Sequence, residues 1–329
     1  MPTVLVRRLL QVIPTLFGVT VLTFALMQAA PGDPLAQVLA GSADQTLNAG
    51  TSSANSAALR HAAGLDQPVP IQFARWLGRL ATGDLGTSLI NHRPVTELIA
   101  AALPNTLELA LLALLISLGV GIPLGVLAAR FRGSWIDSLV RLLAVAGHAI
   151  PTFWLGLVFI LVFAVRLRLF PSGSAMSVGA SPWDVGDRVR HLVGPVLVLS
   201  MAGIANYSRY ARTELLDVLG QEYVRAARAK GLPESRVLGS HALRTALLPV
   251  ITALGGVLAS LVSGALVVEQ VFAWPGMGRL AFDAAQAKDV PVVLATVLLS
   301  SVLLVVGFIL RDVAYCLADP RIGRDSWRA

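Results

Sequence analysis

Residues 221–249, QEYVRAARAKGLPESRVLGSHALRTALLP, form a charged, helix-favouring stretch set between two long apolar runs. Tyr223, Ala226, Ala227 and Lys230 fall at i, i+3, i+4 and i+7, and so share one face of a helix. Two alanines keep the middle of that face low, which lets another backbone come close. Gly231 is placed to take the left-handed position that closes the helix, and Pro233 stops it and begins the next one. The stretch reads as helix, tight turn, helix, built to be gripped. The plain alternative is a basic amphipathic helix lying on an anionic membrane surface. Such a helix has no need of the Ala-Ala…Gly-x-Pro geometry.

The surrounding composition sets the solvent. Hydrophobic residues make up 55% of the 329-residue chain and charged residues only 14%. Mean hydropathy is +0.72. Soluble domains carry a charged fraction of about 25%, so this is an integral membrane protein, and its size requires no second soluble domain. The net charge of +7 comes from basic residues that punctuate apolar runs rather than cluster on one face or tail. That pattern is topological, and it excludes a nucleic-acid-binding surface. A single cysteine, Cys316, excludes an internal disulfide and a cysteine metal site.

Six apolar segments are long enough to cross a hydrocarbon core of about 30 Å at about 1.5 Å per residue. They are Leu9–Ala30, Leu107–Ala129, Leu142–Val165, Leu192–Tyr207, Ala246–Val268 and Val290–Leu310. The fourth is the weakest, yet Val193 to Ala205 holds no charge. The first follows Arg7 and Arg8 like a signal peptide, but its uncharged run of 24 residues, Leu9 to Gly32, exceeds an ordinary signal core. With the N-terminus inside, residues 1–8, 130–141, 209–244 and 311–329 are cytosolic and carry 16 of the 26 Lys and Arg. Arg166, Arg168, Arg188 and Arg190 lie outside and weaken the bias without reversing it.

The expected organisation is therefore an all-α chain. It has an N-terminal membrane helix (1–30), an outer loop (31–102), a five-helix core (103–310) holding a cytosolic segment (209–245), and a cytosolic tail (311–329). In the outer loop, Gly41 to Ala58 is rich in Ser, Ala, Gly and Asn and is expected to be flexible. Phe73, Trp76, Leu77 and Leu80 make an apolar stripe at helical spacing. Packing against the outer ends of the spans is favoured over a ligand site.

Catalytic patterns do not emerge. There is no GxxxxGK[ST] loop for ATP, no GxSxG elbow, and no HxxxH or HExxH pair among His61, His92, His148, His191 and His241. Gly255-Gly256 suits close helix packing, and Ser260 and Ser300 suit bonding back to helix carbonyls. Glu108 and Glu269 lie near span ends, where an ionisable group is a functional candidate. Placement at the outer interface within reach of water is favoured over substrate contact. The turn Trp274-Pro275-Gly276-Met277-Gly278 is compact and offers Trp274 and Met277 as apolar contacts. Anchoring of Trp274 in the interfacial aromatic belt is the competing reading.

Residues 221–249 resemble the "EAA" loop of ABC-importer permeases, with Ala226, Ala227 and Gly231 in register and Arg225 where the general pattern has Glu. Arg225 and the longer spacing to Leu248-Pro249 are similar to the peptide-importer branch. The resemblance extends through Pro31-Gly32-Asp33-Pro34, Gly64-Leu65-Asp66-Gln67-Pro68 and Gly83-Asp84-Leu85-Gly86-Thr87-Ser88. It continues in Pro104-Asn105-Thr106-Leu107-Glu108-Leu109-Ala110 and Ile150-Pro151-Thr152-Phe153-Trp154-Leu155-Gly156. Val268-Glu269-Gln270-Val271-Phe272, the 274–278 turn and Asp319-Pro320-Arg321 complete it. His148 departs, standing where a serine or similar small residue is common.

The chain thus resembles the B-type permease subunit of dipeptide and oligopeptide ABC importers, with a type I, MetI-like core. The resemblance implies a heterodimer with a C-type permease, two cytosolic ATPases that bind the ATP and Mg, an extracytoplasmic solute-binding protein, and peptide cargo. This chain would bind no cofactor and hold no catalytic residue. It would sit in the bacterial cytoplasmic membrane with both termini in the cytosol. The resemblance assigns ATPase coupling to Glu222, Tyr223, Arg225, Ala226, Ala227, Arg228, Lys230, Gly231, Leu248 and Pro249. Glu269, Trp274, Pro275, Gly276, Met277 and Gly278 would form an outer gate or touch the binding protein. A same-fold importer of nickel chelates, glutathione or another small solute stays open. An ion-driven carrier or membrane enzyme is disfavoured, because the spans show few acids or helix-breaking signals at mid-membrane.

Overall fold

The structure is a computed structural model that describes residues 2–30, 66–181, 183–246 and 265–318. Among them the architecture is helical, with one isolated bridge between Thr87 and Pro94. The helices are α1 (Pro2–Ala29), α2 (Val69–Ala81), α3 (Val95–Arg130), α4 (Trp135–Ala149) and α5 (Thr152–Phe159, continued by a wider π-helical stretch, Ile160–Arg166). After these come α6 (Val185–Leu219), α7 (Glu222–Ala229), α8 (a broken helix over 234–246), α9 (265–271), α10 (Met277–Gln286) and α11 (Val290–Ala318). The expected PGDP turn, the Gly41–Ala58 stretch, Gly255-Gly256, Ser260, Leu248, Pro249 and Asp319-Pro320-Arg321 lie outside the described residues. So does the fifth expected span except for Ala246 and 265–268.

Among the described residues four helices are long and apolar enough to span a membrane: α1, α3, α6 and α11. The third expected span departs from its sequence reading. It is two helices, α4 and α5, bent by 99° at Ile150-Pro151. Pro151 has no N–H to continue the ladder and disfavours helical backbone before it. Ile150 accordingly leaves the helix at ψ 124°. The fourth span is not short. Its charged flanks continue the helix to 35 residues, so 209–219 is helix rather than loop.

One compact unit comprises Thr106–Trp274 with Met1 and Leu304–Ala329. Within it α3 packs on α6, drawn close by glycine. A Cβ at Gly125 would stand 2.4 Å from the Ser208 carbonyl oxygen, closer than real atoms approach. Gly121 and Gly125 form a G-x-x-x-G pair, the small-residue device that brings membrane helices together. One buried cluster gathers Leu109, Leu192, Val196, Leu199, Phe272 and Trp274. A second gathers Leu215, Val218, Val224, Ala227, Val237 and Leu238. Between spans the gain comes from close packing, because lipid tails are as apolar as leucine.

The other unit comprises Pro2–Asn105 and Pro275–Leu303. Here the stripe on α2 does what packing predicts. Phe73, Trp76, Leu77 and Leu80 meet Phe24 of α1 and Leu294 of α11. Ser88 donates to the buried carboxylate of Asp289, whose other oxygen accepts from the Leu89 amide at 3.2 Å. This ties the 83–94 turn to the start of α11.

Candidate functional site

The 221–246 hairpin forms as its residue types demand. Gln221 leads into α7, and Lys230 is its last half-helical residue. Gly231 then takes φ +77°. Its amide donates to the Arg228 carbonyl at 2.9 Å, and the Leu232 amide donates to the Ala227 carbonyl at 3.4 Å. This is the six-to-one, five-to-two pattern of a Schellman ending. Leu232 packs against the cluster that holds Ala227, which supplies the hydrophobic contact of that motif. A Cβ added at Gly231 would meet nothing within 4 Å, so only the backbone angle demands glycine there.

Arg228 reaches across the turn to Glu234, with Nη2–Oε1 at 2.7 Å and Nε–Oε2 at 3.2 Å. The hydrogen bond from Arg228 holds the Glu234 carboxyl below its ordinary pKa and raises that of the guanidinium. Both side chains are nearly half exposed, which keeps the energy of the pair small. The pair fixes shape more than stability.

The hairpin presents two faces. Val224 and Ala227 are buried against Leu215 and Val218 of α6 and Val237, Leu238 and Ala242 of α8. Glu222, Tyr223, Arg225, Ala226, Arg228 and Lys230 are exposed. This corrects one sequence expectation: Ala227 is not offered outward beside Ala226 but packs inside its own chain. At about 100° per residue it stands nearer Val224 than Ala226 does, and Val224 sets the inward direction. The outward ridge is Tyr223, Ala226 and Lys230, flanked by Arg225.

Above α6's Leu219 end, Arg212 binds the buried carboxylate of Asp137, with Nε–Oδ1 at 2.7 Å and Nη2–Oδ2 at 2.9 Å. The Gly133 amide adds a bond of 3.0 Å to Oδ2. Sequence reading passed over this pair. Its one signal is that Asp137 is the sole acid in the basic segment 130–141.

The outer candidates separate. Glu269 is fully buried and accepts a 2.6 Å hydrogen bond from Thr106 of α3. That overturns its expected placement at a water-accessible interface. The helix carrying it faces α3, and burial of a carboxylate requires such a donor. Trp274 is also fully buried, with the Arg188 guanidinium 4.7 Å from its ring centre and Arg188 in turn paired to Glu108. Trp274 is therefore neither an aromatic-belt anchor nor an outward contact. Its amide donates to the Glu269 carbonyl at 2.8 Å. In the other unit, Met277 is buried among Val95, Ile99 and Val292, which removes it too from the exposed contacts. Pro275 is exposed, while Gly276 is buried and Gly278 half-buried. The Pro275 carbonyl accepts from the Asn105 side chain at 2.8 Å. Among the described residues no group of His, Cys, Asp and Glu could hold a metal ion.

Residues 121–324 match the family described as binding-protein-dependent transport system inner membrane component. Residues 1–110 match the N-terminal family of the same membrane components. The chain is 44% identical to the oligopeptide transport system permease protein AppB of Bacillus subtilis, over 97% of this chain and 98% of that one. It is 41% identical to a putative peptide transport system permease protein of Brucella abortus, over 99% and 100%. Against the dipeptide transport system permease protein DppB of Escherichia coli the identity is 37%, over 97% and 98%. A solved chain of the MetNI methionine ABC transporter overlaps at a TM-score of 0.49 and 18% identity, covering 67% of this chain and 97% of that one. A likeness that distant carries no argument. The chain belongs to the family of binding-protein-dependent transport system inner membrane components. It is a multi-pass permease subunit of an ABC importer.

Proposed function

We propose that this subunit pairs with a C-type permease and carries peptides across the cytoplasmic membrane, driven by two cytosolic ATPases and fed by an extracytoplasmic binding protein. The observation that carries the reading is the exposed ridge Tyr223, Arg225, Ala226 and Lys230 on a hairpin whose inner face is fixed to α6. A surface exposed on one side and anchored on the other can pass a push into the bundle. The ATPase groove closes on this ridge when ATP binds, α6 and α8 follow, and the path opens outward. Hydrolysis resets it. ATP-loaded partners thus act as the ligand that biases two bundle arrangements.

ATP and Mg belong to those partners, and this chain supplies no catalytic group. Both termini lie in the cytosol. Peptide cargo is supported by relatives named for oligopeptides and dipeptides that align over nearly their whole length. An affinity tag on this chain tests the assembly: an ATPase and a second permease must co-purify. Loss of labelled dipeptide and tripeptide uptake on deletion, restored by the gene, tests the cargo. Retained peptide uptake with lost nickel uptake would overturn the peptide reading.

A further inference from the structure

The two helices that meet at the bend, α4 and α5, both pack on α6. Gly147, the last glycine before it, faces Ala205 and the Met201 carbonyl of α6, where an added Cβ would sit at 3.4 and 3.5 Å. Past the bend, Phe159 meets Gly194 of the same helix, 2.8 Å from an added Cβ. At about 1.5 Å per residue, Met201 is roughly 12 Å from Arg209 and roughly 16 Å from Arg190, the charges that bracket the apolar part of α6. The chain therefore leaves helical geometry near mid-span.

Two observations there converge. Asp137, Val140 and Ala144 form the stripe that α4 buries, and His148 continues it, about 40° around the helix from Ala144. Yet His148 is exposed. At that level α4 turns an imidazole away from its own chain, at membrane depth. The first turn of α5 adds backbone amides with no side-chain cap, since Pro151 precedes it. Non-helical backbone and polar side chains at membrane depth persist where they meet protein or line water, not lipid.

We propose that this break lines the translocation path and that His148 is the polar group on this chain that meets the passing cargo, hydrogen-bonding to peptide amide or carboxylate groups. The inference deepens the peptide-importer reading and rests on it for the cargo alone. The test uses the assembled transporter in proteoliposomes with Cys316→Ser as background. His148→Cys and Leu142→Cys are probed with a small cationic methanethiosulfonate, nucleotide-free and after vanadate trapping. Position 148 is expected to react at least tenfold faster than 142, at a rate that differs between the two states. Equal rates at 148 and 142, or no reaction at 148 in either state, would overturn it.

Uptake provides the second readout. His148→Leu is expected to raise the KM for peptides several-fold, and His148→Gln to keep it near the wild-type value. Unchanged uptake by His148→Leu would remove His148 from the path. Labelling does not depend on which solute is carried. Wild-type failure to take up peptides would therefore overturn the cargo reading and leave the path assignment standing.

Discussion

Arg212 grips the carboxylate of Asp137 through two hydrogen bonds of 2.7 and 2.9 Å, joining α6 to α4. Asp137 is almost fully buried, while the Arg212 side chain keeps 21% of its exposure. Removing Arg212 leaves Asp137 only the Gly133 amide and a longer 3.5 Å pairing with Arg141, and removing Asp137 takes the carboxylate from the Arg212 guanidinium. Asp137→Ala or Arg212→Ala should each cost about 3 kcal/mol. The double variant Asp137→Leu with Arg212→Met should cost clearly less than either single change predicts. Thermal unfolding of the purified complex in detergent checks this, and strict additivity would show the pair uncoupled.

Gly231 combines a positive φ with empty space around its absent side chain. Sterics outside the backbone therefore do not matter, and the penalty is backbone strain of about 1–3 kcal/mol. Gly231→Val should uncouple ATP hydrolysis from uptake while assembly with the second permease persists. Gly231→Asn, which tolerates left-handed backbone, should transport nearly normally. Normal uptake by the valine variant at normal expression would refute the role of the turn.

Neighbouring alanines should behave oppositely. Ala226→Asp adds charge to the exposed ridge, so it should weaken ATPase association and leave the thermal stability of the chain unchanged. Ala227→Asp buries a carboxylate among Val224, Leu215 and Val237, and should lower stability by at least about 2 kcal/mol before any docking effect is felt. Loss of ATPase in pull-downs, set against melting temperature, separates the two.

Topology follows from charge and is checked in intact cells. Cysteines at Ser53 and Gly239, in a Cys316→Ser background, are offered an impermeant maleimide. Position 53 should label and position 239 should not. Labelling of 239 alone would place both termini outside.

Among the described residues, hydropathy marked four long apolar helices and the bent α4–α5 pair, but not how far each helix runs. The starts of α3 and the end of α6 are charged and amphipathic, and tertiary contacts rather than apolar content extend them. The bend at Pro151 could not be told from proline alone, because Pro14 and Pro195 sit inside continuous helices. Gly231 was legible because one backbone angle selects one residue. The inward turn of Ala227 and the burial of Glu269 and Trp274 were not. Each depends on a partner far along the chain, α8 for the first and Thr106 and Arg188 for the others. Gly121-x-x-x-Gly125 was a readable signal for the α3–α6 contact.

The length of α6 has a mechanical consequence. Its 35 residues make a rod of about 52 Å, well beyond a hydrocarbon core of about 30 Å. Such a rod acts as a lever arm with the hairpin fixed at its tip. A tilt of about 5° around its far end would sweep Leu219 through about 4.5 Å, close to the rise of one helical turn. A partner pressing on α7 therefore needs only a small rotation to shift the inner end of the bundle by one side-chain row.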